Sequence, residues 1–323
     1  MTESPAGPPR GLHRYAVCVA AATFLLVIAG GLVTSTGSGL AVPDWPLSFG
    51  QVFPRMEGGV LFEHGHRLIA STVGLLTVIL AIWTWRADPR PWVKKLGLCL
   101  VGVVILQGVL GGVTVLLRLP DAVSVAHAGL AQVFFALTCV LATVTSPRFV
   151  GAPQIGRDAG TPATRSLVLY TAAAIYAQIL LGAIVRHTGA ALAIPDFPLS
   201  FGKLVPPFNT SLVLWNYLHR VGALVVSLMI GWTTVRMLRE HGRAAYLLRP
   251  ALALFALLCW QIFLGALTIW TRRAVTPTTA HVATGALIFV TSVVLAVRAQ
   301  RVLGEPEASR SEPLPHAAGT AAA

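Results

Sequence analysis

The sequence predicts an all-α integral membrane protein, eight transmembrane helices arranged as two parallel-repeat four-helix bundles, and three observations predict it. The first is composition: of 323 residues, 55% are hydrophobic and only 11% are charged, with a mean hydropathy of +0.73, too few charges to cover a soluble surface of this size. The second is a series of eight apolar runs, each long enough to cross a hydrocarbon core of about 30 Å. The third is an internal duplication. Residues 36–50 read TGSGLAVPDWPLSFG and residues 188–202 read TGAALAIPDFPLSFG. Each is followed by an apolar segment that begins near a His-Arg pair, His66-Arg67 and His219-Arg220.

The runs fall at residues 15–33, 64–85, 96–117, 123–144, 167–185, 212–235, 251–271 and 278–297. The first is too long, and too poorly followed by a cleavage site, to read as a signal peptide, so it counts as a span. Four spans per repeat make both copies cross the membrane in the same sense, related by an axis along the membrane normal. The expected division is a disordered cytoplasmic N-terminus at 1–14, a first module at 15–146, a linker at 147–164 and a second module at 165–298. A disordered, Ala-, Ser-, Pro- and Glu-rich cytoplasmic tail follows at 299–323.

Basic residues orient the spans. Sixteen of the 24 lysines and arginines fall on the side of the two termini, in dense groups such as Arg86, Arg90, Lys94 and Lys95, and Arg236, Arg239, Arg243 and Arg249. The positive-inside bias makes that side cytoplasmic, in a cell membrane crossed many times. The net charge of +12 is then topological, with contact to anionic membrane lipids in addition. Nucleic acid is excluded as a partner because the charges are loop clusters with no aromatic platform beside them. Cys18, Cys99, Cys139 and Cys259 all lie inside apolar runs without CxxC spacing, which reads as small packing residues and supports neither zinc nor a disulfide framework. The duplicated outer loops are long, rich in Pro and Gly, and apolar at Leu40, Trp45, Leu47, Phe49 and Phe53. They are expected to fold back over the helix ends as lids.

Four of the nine histidines, His66, His127, His219 and His281, lie near the starts of the second, fourth, sixth and eighth spans, and so at one level in the outer leaflet. For any one of them, a helix-interface histidine bonded to a neighbour is the commoner role. Four at equivalent points of a duplication are a pattern, and an ionisable group in hydrocarbon needs a partner. Two neutral imidazoles from two helices, with no thiolate or carboxylate, fall short of a zinc site and suit the two axial positions of a haem. The pairs are His66 with His127 and His219 with His281. Gln107 and Gln261 each stand twenty residues before the second histidine of a pair. Arg67 and Arg220, at the same rim, are candidates for pairing with haem propionates or for snorkelling to the interface.

Glu63 breaks the symmetry. It stands three residues before His66, on the same helical face, where the second half has Asn216. A carboxylate beside one site only points to proton-coupled chemistry or stabilisation of a developing cation there, with electron relay at the other. The competing role is a helix-end carboxylate complementing the dipole. His64, replaced by Tyr217 in the other half, is read as a rim residue.

The stretch EHGHR at 63–67, the loop TGSGLAVPDWP, NYLHR at 216–220 and the pair His127 and His281 together resemble haem A synthase (heme A synthase), over residues 14–298. The resemblance implies oxidation of the C8 methyl of haem O to the formyl of haem A, for assembly of haem-copper terminal oxidases. It also implies Glu63 as catalytic carboxylate, His66 and His127 as axial residues to haem O or A, and His219 and His281 as axial residues to a haem b. Haem O synthase and an unidentified electron acceptor are the implied partners. One departure stands out: many relatives carry loop cysteine pairs where this chain has Val42 and Ser48, and Ile194 and Ser200, so no loop thiol chemistry is expected here.

Two other classes explain less. A dihaem b-type electron carrier without substrate chemistry accounts for the histidines but leaves Glu63 without a role. A transporter accounts for the duplication but predicts charged groups or broken helices at mid-membrane. The orientation is checked by fusing a reporter that is active only outside the cytoplasm. Fusions near Gly50 and Gly202 are expected to be active and those near Pro91 and Gly242 silent, and the reverse pattern would place the histidines on the cytoplasmic side.

Overall fold

The computed structural model describes residues 8–158 and 161–304. Among them are eight long apolar helices: α1 (Arg10–Ser35), α2 (Gly59–Ala87), α3 (Pro91–Leu116), α4 (Asp121–Val144), α5 (Thr164–His187), α6 (Ser211–His241), α7 (Ala245–Trp270) and α8 (Val275–Val302). All eight expected spans are present. They outrun the apolar runs by up to six residues at one end, because a helix continues past the hydrocarbon edge into polar sequence. The last turn of α6, for example, carries Arg239 and His241, where cations suit the helix C-terminus.

Local sequence explains most helix ends. Pro9 and Pro120 precede α1 and α4, and Pro91 opens α3 at a position whose N–H would have no partner. The Thr210 hydroxyl accepts from Val213 N at 3.3 Å to cap α6. Pro250 lies inside α7, where it lacks the N–H that would bond the Tyr246 carbonyl. Arg298 supplies that donor from α8, with Nη1 3.2 Å from Tyr246 O and the guanidinium over the Tyr246 ring.

Helices α1 to α4 pack in a ring, each on the next and α4 back on α1, and α5 to α8 do the same. The rings meet through α1, α4, α5 and α8. Leu80, Leu100, Phe134 and Leu141 centre one core inside the first ring. A second core, with Phe135, Ile175, Ile230 and Leu254, spans the seam between rings. In lipid, apolar contact between helices gains no solvent advantage, so close packing at small residues carries association. Gly129 of α4 is such a residue: a Cβ there would lie 2.7 Å from the Leu180 side chain of α5.

Three expectations change. The N-terminal segment is helical from Arg10 rather than disordered to residue 14, since Leu12 and Ala16 are buried in the first core. At the other end α8 runs to Val302, and Leu303–Gly304 forms a two-residue parallel pairing with Gly156–Arg157 of the linker. The remainder of both expected disordered segments, residues 1–7 and 305–323, lies outside the described residues. Cys18, Cys99 and Cys259 are exposed on helix surfaces rather than packed, and only Cys139 is partly buried. On the opposite side of the molecule from the histidines, an apolar crevice of about 670 Å³ lies at the seam, walled by Val140, Phe149, Leu169 and Val293.

Gly129→Val is expected to wedge α4 from α5 and to cost roughly 1–3 kcal/mol. Thermal unfolding in detergent would show this as a lowered midpoint, whereas Gly102→Ala, which meets open space, should leave the midpoint in place.

Candidate functional site

The four histidines come together in two pairs about two turns inside α2, α4, α6 and α8. His66 and His127 lie within electrostatic reach of one another, and so do His219 and His281. Each ring rests against a glycine of a neighbouring helix. A Cβ would stand 3.1 Å from His66 Cε1 at Gly30, 3.2 Å from His127 at Gly111, 3.0 Å from His219 at Gly182 and 3.2 Å from His281 at Gly265. Sequence reasoning missed these four glycines, although the signal was present: the first and third, and the second and fourth, occupy matching positions of the duplication.

Polar partners hold some of the rings. The Gln107 amide donates to His127 O at 3.0 Å and approaches His127 Nε2 at 3.5 Å, and the Gln261 amide lies 3.3 Å from His281 Nε2. Gln178 of α5, also unremarked in the sequence, lies 3.0 Å from His219 Nδ1 and donates to His219 O at 2.8 Å. The first module has Leu26 at the matching position. Among the described residues, Nδ1 of His66, His127 and His281 is buried without a hydrogen-bond partner. A desolvated ring nitrogen is costly unless something binds it. Two imidazoles from different helices, at least one of each pair with a buried unpartnered nitrogen, glycine at each point of contact and no gathering of three or more His, Cys, Asp or Glu among the described residues fit the axial positions of haem, whose porphyrin brings its own four nitrogens.

The two loops do close over the histidine end. Asp44 accepts from Phe49 N at 2.7 Å and Gly50 N at 2.8 Å, and Asp196 accepts from Phe201 N and Gly202 N at the same distances. These backbone bonds, to Gly50 first and Phe49 next, hold the Asp44 carboxyl below the usual carboxylate range, and Gly202 and Phe201 do the same for Asp196. Their contribution to loop order is therefore present above the ordinary carboxylate pKa and is lost as pH falls through the lowered value. Phe49 and Phe201 both adopt a φ of 54° in these turns, a left-handed conformation that the aspartate bonds help to hold. Trp45 lies flat on α3, where a Cβ on Gly112 would come within 2.6 Å of its ring.

Arginines fasten the lids. Arg67 donates to the carbonyls of Asp44 at 2.7 Å, Leu47 at 3.0 Å and Val42 at 3.3 Å, and pairs with Glu63 Oε1 at 2.6 Å. Arg220 donates to Leu199 O at 2.8 Å, Ile194 O at 3.1 Å and Asn216 Oδ1 at 2.9 Å. Glu63 is 4% exposed, and its Oε2 accepts from Val42 N at 2.8 Å. It sits beyond the first turn of α2, which has no acidic residue, so the helix-dipole role does not describe it. Asn216 ties its own loop by donating to Ala190 O and Ala191 O at 2.8 and 3.1 Å. The two residues thus share a lid-fastening role, and only Glu63 adds an ionisable group. His64 is not a rim residue: the lid covers it to 5% exposure, with Nδ1 2.7 Å from Ser48 Oγ. Within the lids themselves Val42, Ser48, Ile194 and Ser200 are buried.

Fold and site define a class, a multi-pass helical membrane protein that presents paired histidines from facing helices beneath two fastened lids. The chain belongs to the cytochrome oxidase assembly protein family COX15-CtaA, whose model matches residues 13–61 and 58–293. It is 35% identical over 228 residues to the heme A synthase of Shouchella clausii, covering 68% of this chain and 74% of that protein. It is 32% identical over 265 residues to the heme A synthase of Symbiobacterium thermophilum, covering 80% and 85%. With the heme A synthase of Alkalihalophilus pseudofirmus it shares 28% identity over 284 residues, 86% and 94% of the two chains.

Gly182→Val is expected to push the His219 ring from its seat and to lower the haem retained by the purified protein. Gly231→Ala, in open space of the same module, should retain it. Equal haem content in the two variants would show that the glycine seat has no part in binding.

Proposed function

We propose that the protein is a haem A synthase, an enzyme of haem A formation that oxidises the C8 methyl of haem O to a formyl group by successive hydroxylations. Glu63 is the observation that carries the reading. It is a buried carboxylate, one turn from His66, in a duplicated architecture that otherwise substitutes an amide at the same point. The family and the shared name of the relatives support the same conclusion.

In this reading His66 and His127 hold the substrate and product, haem O and haem A, and His219 and His281 hold a haem b, which when bound supplies one-electron redox chemistry. One difference between the rings is in keeping with that division. His219 is gripped by Gln178 at ring and backbone, as suits a permanent cofactor. His66 lacks that grip, since Leu26 stands at the matching position, while His127 beside it is held by Gln107 at ring and backbone; the difference between the modules therefore lies in one histidine of the pair. Glu63 uses one lone pair on each oxygen, toward Arg67 and Val42 N. A carboxylate offers about four acceptor positions, so it retains capacity to take a proton or to face positive charge developing at the substrate carbon. Arg67 and Arg220 serve here by holding the lids shut, which excludes water. Pairing with propionates would require them to share donors now given to loop carbonyls. The sites lie on the extracytoplasmic side, with both termini in the cytoplasm.

Glu63→Gln is expected to keep the fold and bound haem, because glutamine retains the size and can still accept from Val42 N. Conversion of haem O to haem A should fall by about 10²-fold or more. Asn216→Asp should have a far smaller effect. Haems B, O and A extracted from cells carrying each variant and separated by chromatography decide the matter. Wild-type haem A with Glu63→Gln would reduce the residue to a lid fastener.

A further inference from the structure

The duplication is broken a second time, at Arg186. It occupies the last turn of α5, at the histidine end of the molecule, and the matching residue of the first module is Thr34. Thr34 does no more than donate to Gly30 O of its own helix, at 3.3 Å. Arg186 reaches across the seam. Its Nη2 donates to Gly31 O at 2.7 Å and to Ser35 Oγ at 2.9 Å, both on α1, and Ser35 Oγ also accepts from Thr279 Oγ1 of α8 at 2.9 Å. Thr279 is two residues from His281.

The guanidinium is partly buried within a membrane span, and among the described residues no carboxylate pairs with it. Arg273, another cation, is the charged side chain it feels most, and Arg186 in turn lies within electrostatic reach of His281. Arg186 stands four residues beyond Gly182, so both lie on one face of α5, the face that seats His219. A cation withdrawn from water without a counter-charge is costly and implies an anion. Nη2 is committed to α1, while Nε and Nη1 make no hydrogen bond among the described residues, so the planar fork still has donors to offer a carboxylate.

We propose that Arg186 binds a propionate carboxylate of the haem held by His219 and His281, and that its charge raises the reduction potential of that haem; this rests on the functional reading above. The sign follows from electrostatics. A reduced haem carries one more negative charge than an oxidised one, and a nearby fixed cation favours it. The first module has no cation at this point, so the charge biases electrons toward the second site. Through the same side chain the anion-binding group is tied to α1, the helix whose Gly30 seats His66.

The test is a spectroscopic redox titration of haem b in the purified protein, with haem b content measured alongside. Arg186→Gln is expected to lower the midpoint potential of the haem b that remains and to reduce its amount. Arg186→Lys should restore both toward wild type. Ser35→Ala removes one of the two bonds that Arg186 makes to α1 and leaves the cation and its bond to Gly31 O, so it should keep the wild-type potential. Wild-type potential and content in Arg186→Gln would overturn the proposal. Equal losses in Arg186→Gln and Ser35→Ala would overturn it too, by showing that only the seam bond matters. A wild-type protein that holds haem O or A but no haem b, or no haem at all, would instead remove the functional reading on which the proposal stands.

Discussion

An imidazole set inside an apolar helix bundle needs room and needs a partner, and the rest of the structure answers those two needs. Room comes from glycine: each of the four rings lies against a helix whose Cβ has been removed at the point of contact. That places a glycine on α1, α3, α5 and α7 and a histidine on α2, α4, α6 and α8, which is why the ring of four helices is the repeating unit. Partners come from the amides of Gln107, Gln178 and Gln261 on one side of the rings and, in the proposed function, from iron on the other.

On this common frame three differences between the modules bear on the histidine sites. Glu63 answers to Asn216, Leu26 to Gln178 and Thr34 to Arg186. The first half carries the negative charge and one histidine, His66, without an amide partner among the described residues. The second carries the positive charge and an amide on each of its two histidines. Each change leaves the fold intact, because Asn216 fastens its lid as Glu63 does and Leu26 packs where Gln178 would reach. Duplication followed by a few substitutions of charge thus makes two unequal sites from one architecture, with no new backbone.

Much of this was legible in the sequence. Composition and run length gave the eight spans, since lipid leaves the backbone little choice but helix, and identical spacing paired the histidines. What stayed hidden depends on side-chain reach. The reach of Arg67 to three loop carbonyls, and the burial of His64 beneath Ser48, follow from how the lid folds back, which no periodicity encodes. Gln178 was invisible for a different reason: it lies on the helix opposite its histidine and has no copy in the other half. The extension of α1 to Arg10 was missed because polar residues at a membrane boundary read as loop, although Leu12 beside them is fully buried.

The short pairing of Leu303–Gly304 with Gly156–Arg157, supported by Ile155 N donating to Val302 O at 2.8 Å, closes a circuit. The chain leaves the first ring through the linker, passes through the whole second ring and returns to dock on that same linker. The second ring is therefore moored at both of its ends to one short stretch of backbone, on the side away from the histidines. Rotation of one ring against the other would have to break this mooring or carry the linker with it. The apolar crevice on that side is lined in part by Gln300 and Arg301, the last turn of α8 before this pairing, so the wall of the crevice and the mooring are one continuous stretch of chain.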